Sequence, residues 1–157
     1  MVLYLVRHGK AEGPHVRGDR YRALSPEGRE RIAVMGPAAS RQGFAVDLAL
    51  SSPYLRAVQT RDLFAPGFGP ARSEISPAFT PDADPEEALV ELKAWEAEGF
   101  SRIAVFTHNP FVTVLAGRLV EPGFGGDLTF HTPTILALGF DQGLGTRCGR
   151  VLWILNP

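Results

Sequence analysis

The chain has 157 residues, 45% of them hydrophobic and 21% charged, with a formal net charge of −1. That is one domain's worth, 1–157, able to bury about two thirds of its unfolded surface. A near-neutral balance argues against nonspecific nucleic-acid binding, no apolar run approaches a bilayer span of about 20 residues, and a single cysteine, Cys148, permits no internal disulfide or thiolate metal cluster.

The chain opens on an apolar run, Val2–Val6, that reads as a strand rather than a basic leader, so the expected setting is the reducing cytoplasm. A polar loop, Lys10–Ala23, leads to a helix from Pro26 to about Gln42, with Pro37 expected to kink or interrupt it. Strand Leu48–Ser51 feeds a helix with Ser52 as its cap and Pro53 as its first residue, ended by Pro66-Gly67-Phe68-Gly69-Pro70. A short extended stretch near Glu74-Ile75 and a loop over Thr80–Asp84 precede a helix from Pro85 to about Ala97, with Leu89, Leu92 and Trp95 on one face. Strand Arg102–Phe106 and helix Pro110–Val120 follow. The end reads as a hairpin: Thr134–Phe140, a turn at Asp141-Gln142-Gly143, and Arg150–Leu155. The alternation predicts a three-layer α/β/α sandwich with a mostly parallel central sheet.

Three strand ends carry chemistry. Arg7-His8-Gly9 closes the first strand, Arg56 lies about one turn into the helix after the second, and His108 follows Val105-Phe106-Thr107. Ligands in open α/β sheets bind beyond the carboxyl ends of the strands. Imidazole can act there as a neutral nucleophile, and guanidinium groups suit phosphate oxygens. His15 and His131 sit in no such context and read as loop residues, and neither Ser51 nor Ser52 lies in a nucleophile elbow.

Arg7-His8-Gly9, the run Ser52-Pro53-Tyr54-Leu55-Arg56-Ala57-Val58-Gln59-Thr60 and the late His108 together resemble the histidine phosphatase, or phosphoglycerate-mutase-like, superfamily. Arg22 ahead of Leu24-Ser25-Pro26-Glu27-Gly28, and His108-Asn109-Pro110-Phe111-Val112, resemble its short SixA-type phosphohistidine phosphatases. The resemblance implies a phosphoglycerate mutase-like fold and a reaction without metal or cofactor. His8 would be the nucleophile, Arg7, Arg22 and Arg56 the phosphate ligands, and His108 a donor to the phosphoryl oxygens.

Members that cleave phosphoesters carry a carboxylic acid in the segment after the third strand. Here Ser76–Pro81 holds none, and the first candidates are Asp82 and Asp84. An alkoxide leaves poorly without a proton, whereas phosphohistidine has a labile P–N bond. The expected substrate is therefore a phosphorylated protein. The alternatives are a small-phosphoester phosphatase using Asp82 or Asp84 as general acid, and a non-catalytic phosphate-binding module. Neither a nucleic-acid nor a membrane partner is expected, and the sequence leaves the oligomeric state open.

Overall fold

Six strands form one sheet in a computed structural model that describes residues 1–157: β1 Val2–Arg7, β2 Leu48–Ser51, β3 Arg72–Ile75, β4 Arg102–Thr107, β5 Thr134–Gly139 and β6 Arg150–Leu155. Their order is β3-β2-β4-β1-β5-β6. The β3-β2, β2-β4 and β4-β1 pairs are parallel, and β5 and β6 join antiparallel. Four α-helices connect them: α1 Pro26–Arg41, α2 Leu55–Phe68, α3 Pro85–Ala97 and α4 Phe111–Leu119.

Alternation along β1 sorts the core. Leu3 and Leu5 pack with Leu89 and Leu92 of α3 and with Val112 and Leu115 of α4. Tyr4 and Val6 face the other way, onto Ile32 and Met35 of α1 and Phe64 and Phe68 of α2. Successive side chains on a strand point to opposite faces, so a central strand that is apolar throughout needs a helical layer on each side. The predicted sandwich is the observed one.

Two helix boundaries differ from expectation. Ser52 is not the cap of α2; Tyr54 holds that position with extended backbone, and the helix starts at Leu55. The Ser52 N–H continues the sheet by donating to the Phe106 carbonyl, so this residue belongs to the strand end. Neither proline breaks its helix. α1 runs through Pro37, and α2 runs through Pro66 to Phe68. A proline removes one backbone donor, and at the end of α2 the loss is offset by packing. Phe68 is buried edge-on to Phe44, and Ser40 Oγ of α1 donates to the Gly67 carbonyl at 2.8 Å.

The loop after β1 is tied down. Ser25, the cap of α1, donates from its backbone N–H to the Lys10 carbonyl, and its hydroxyl accepts from the Gly28 N–H. A Cβ at position 28 would stand 2.2 Å from the Lys10 carbonyl oxygen, so only glycine permits α1 to sit this close to the chain leaving β1.

Candidate active site

Register assembles the site. Arg7 of β1 pairs with Thr107 of the adjacent parallel β4, so His8 and His108 are the next residues outward on neighbouring strands. The His8 N–H donates to the Thr107 carbonyl, and the two rings lie 5.0 Å apart between centroids. Ser52 and Ser76 leave β2 and β3 at the same edge, and antiparallel β5 starts there, with Thr134 opposite Arg7. An open cleft of about 410 Å³ at this edge is lined by Arg7, His8, Asp19, Arg22, Arg56 and Thr132, among others.

His8 Nδ1 lies 2.6 Å from the carbonyl oxygen of Gly9. A carbonyl only accepts, so Nδ1 carries the proton and Nε2 presents its lone pair. Arg56 Nε donates to that lone pair at 3.1 Å. His8 is 8% exposed, Arg56 5% and His108 1%. Burial pushes His8 down to about 3, with Arg56, Arg7 and Arg22 adding to the effect and the Gly9 carbonyl opposing it. Burial is the larger cause; the guanidinium groups to which the sequence points are secondary. His108 falls to about 2, again chiefly through burial. Both rings are neutral at pH 7.

The arginines are held by backbone carbonyls. Arg7 Nη1 donates to the Phe130 carbonyl, Arg22 Nε to that of Glu12 at 2.8 Å, and Arg56 Nη1 to that of Asp19 at 2.8 Å. Two buried side-chain polar atoms lack any protein partner, Arg7 Nε and His108 Nδ1, and both belong to this constellation. Buried polar groups are almost always paired, so two open donors or acceptors at this sheet edge set it apart from the rest of the interior.

The five residues singled out from the motifs, Arg7, His8, Arg22, Arg56 and His108, thus converge. Asp82 and Asp84 do not join them. Asp82 is exposed, and of its segment only Pro81 lines the cleft. The Asp84 carboxylate caps α3 by accepting from the Glu86 N–H at 2.9 Å. His15 and His131 are exposed. No group of three or more His, Cys, Asp or Glu side chains is arranged to hold a metal ion.

Asp19 escapes the sequence reading. It opens a 3-10 turn, Asp19–Tyr21, and its carboxylate bridges Arg56 Nη2 and Arg22 Nη1 at 2.8 Å each. Hydrogen bonding from Arg22, then from Arg56, holds this carboxyl below its usual range. The available signal was its position three residues before Arg22, which suits an ion pair once the intervening turn is known. Thr60 and Gln59 support the site from α2. Thr60 Oγ1 accepts from the Gly9 N–H, and Gln59 Oε1 accepts from that of Leu24.

A model of the histidine phosphatase superfamily (branch 1) matches residues 3–80. Phosphohistidine phosphatase SixA of Escherichia coli (strain K12) is 30% identical over 158 residues, an alignment that covers 100% of this chain and 94% of the relative. An uncharacterised protein of Picosynechococcus is 27% identical over 139 residues, covering 88% and 84% of the two chains. The solved structure of the protein histidine phosphatase SixA complexed with tungstate superposes with a TM-score of 0.86 at 27% identity, covering 99% of this chain and 97% of that one.

Proposed function

Because this chain belongs to the histidine phosphatase superfamily, we propose that it hydrolyses phosphohistidine on a protein through a phosphorylated His8. The observation that carries this reading is the oriented ring of His8, whose unprotonated Nε2 is turned to the Arg56 guanidinium in a cleft that Arg7 and Arg22 also line.

In the first step Arg56 Nε gives up its hydrogen bond to Nε2 for a phosphoryl oxygen, and the freed Nε2 lone pair attacks phosphorus. The substrate P–N bond breaks, and its electron pair departs with the leaving imidazole, which takes a proton from solvent. Negative charge spread over the equatorial oxygens is met by the guanidinium groups and by a hydrogen bond from His108. A water oxygen then attacks the phosphorus, the bond to Nε2 breaks, and inorganic phosphate leaves with His8 restored.

The absence of an available acid favours this substrate over an alkyl phosphoester. Asp19 is the carboxyl group that lines the cleft, and Arg22 and Arg56 hold it ionised, so it has no proton for an alkoxide at neutral pH. The tungstate bound by the SixA relative is a tetrahedral oxyanion, the shape such a clamp would accept. No helix here is long and apolar enough to cross a membrane, and Cys148 is free and exposed, which suits a reducing cytoplasm.

The test is direct. Purified protein mixed briefly with ³²P-phosphohistidine peptide is expected to yield an acid-labile phosphoenzyme, absent from His8→Ala, and release of phosphate is expected to fall by at least a thousandfold in that variant. Label on serine, or full turnover by His8→Ala, would overturn the reading.

A further inference from the structure

A neutral imidazole has one donor and one acceptor, and the partner of one nitrogen decides what the other can do. For His8 that partner is a carbonyl. For His108 it is a hydroxyl: Nε2 lies 2.8 Å from Ser52 Oγ, while Nδ1 is buried without a protein partner.

The hydroxyl's own partners fix the direction. Ser52 Oγ accepts from the Tyr54 N–H at 3.3 Å, and the residue is wholly buried. Its remaining contact is His108 Nε2. Were Nε2 to donate, two buried groups would be left unpaired, the serine proton and the Nδ1 lone pair, against one in the opposite arrangement. Donation from Ser52 to Nε2 pairs the serine proton and the Nε2 lone pair, places the ring proton on Nδ1, and leaves that N–H as the one group of the pair still open to a ligand.

We propose that Ser52 is a positioning residue that sets the tautomer of His108, keeping a proton on Nδ1 as a hydrogen-bond donor to the phosphoryl oxygens. The inference rests on the phosphatase reading for its purpose, but not for its geometry. With the opposite tautomer, Nδ1 would turn a lone pair toward an oxyanion. The ring could then help only as imidazolium, which its burial and the neighbouring Arg56 disfavour. The two histidines thus become a complementary pair: a carbonyl on Nδ1 makes His8 a nucleophile, and a hydroxyl on Nε2 makes His108 a donor.

The experiment reads the tautomer itself. In ¹⁵N-histidine-labelled protein at pH 7, long-range ¹H–¹⁵N correlations are expected to report Nδ1–H for His108. In Ser52→Ala that signal is expected to shift toward Nε2–H, with kcat on phosphohistidine peptide down about 10–100-fold and KM little changed. Ser52→Thr, which keeps the hydroxyl, is expected to recover both the tautomer and most of the rate. An Nε2–H tautomer in the native protein would overturn the proposal whatever the variants do. So would native kcat and an unchanged Nδ1–H signal in Ser52→Ala. Native protein with Nδ1–H but no turnover of any phosphorylated substrate would support the tautomer and overturn the phosphatase reading instead.

Discussion

Acid is expected to unfold this protein through the two buried histidines at the sheet edge, His8 and His108. In the unfolded chain both titrate near 6.5, whereas in the fold His8 is pushed to about 3 and His108 to about 2. Between those values the unfolded state binds protons that the native state refuses. Stability therefore rises with pH across the window and is lost as pH falls below 6.5. Each pH unit costs about 1.4 kcal/mol per ring, so at pH 4.5 the two together cost about 5 kcal/mol. Both rings are nearly excluded from solvent, which leaves little screening to discount. A loss of that size rivals the whole stability of a small domain, about 5–15 kcal/mol. Urea unfolding at pH 7 and pH 4.5 measures it, with the double variant His8→Asn/His108→Gln as reference. The native protein is expected to lose about 5 kcal/mol more than the reference between the two pH values, and each single variant about half that excess. The carboxylates held low in the fold, Asp19, Glu27 and Asp127, are common to all variants and cancel. Equal losses in native and double-variant protein would refute burial of neutral rings as the basis of the site.

Activity is expected to survive exhaustive chelation, because the charge-stabilising groups are guanidiniums, and vanadate is expected to inhibit competitively; loss with EDTA that divalent ions restore would contradict this. Asp82→Asn is expected to leave phosphohistidine turnover within a few fold, whereas a proton donor's removal would cost about 10²–10⁴. Asp84→Ala is expected to behave alike in turnover but to lose about 1 kcal/mol in urea unfolding with the cap of α3. Asp19→Asn removes the anion that shares Arg22 and Arg56 with the phosphoryl group, so vanadate inhibition is expected to tighten about tenfold, read from the inhibition constant; unchanged or weaker inhibition would assign Asp19 a purely structural part.

What the sequence disclosed and what it hid divide along the range of the interactions. β1, β2 and β4 are apolar enough to be legible as central strands, and the residues following them carry the motifs, so His8, Arg56 and His108 could be placed at one sheet edge before their contacts were known. Asp19 could not, because its role needs Arg56, which reaches it from another element across the cleft. Ser52 was misread for a related reason. Its sequence context is that of a helix cap, and only the Phe106 carbonyl and the His108 ring, both brought by β4, commit it to the sheet edge. The prolines at 37 and 66 teach the same lesson: a local breaker yields where Ser40 and Phe68 provide tertiary partners.

The place of β1 between β4 and β5 has a consequence for biogenesis. β1 finds both its neighbours only among residues made much later, Arg102–Thr107 on one side and Thr134–Gly139 on the other. At about 5–20 residues per second, a nascent β1 waits several seconds or more with two open edges and an apolar side chain at nearly every position. A truncated chain ending at Gly125 would contain Arg7, His8, Arg22, Arg56 and His108, yet lack both β5 and the Phe130 carbonyl that holds Arg7. Such a fragment is expected to aggregate or to need a chaperone rather than to act as a weak enzyme, because synthesis delivers the five side chains early and the strand that completes their surroundings only later.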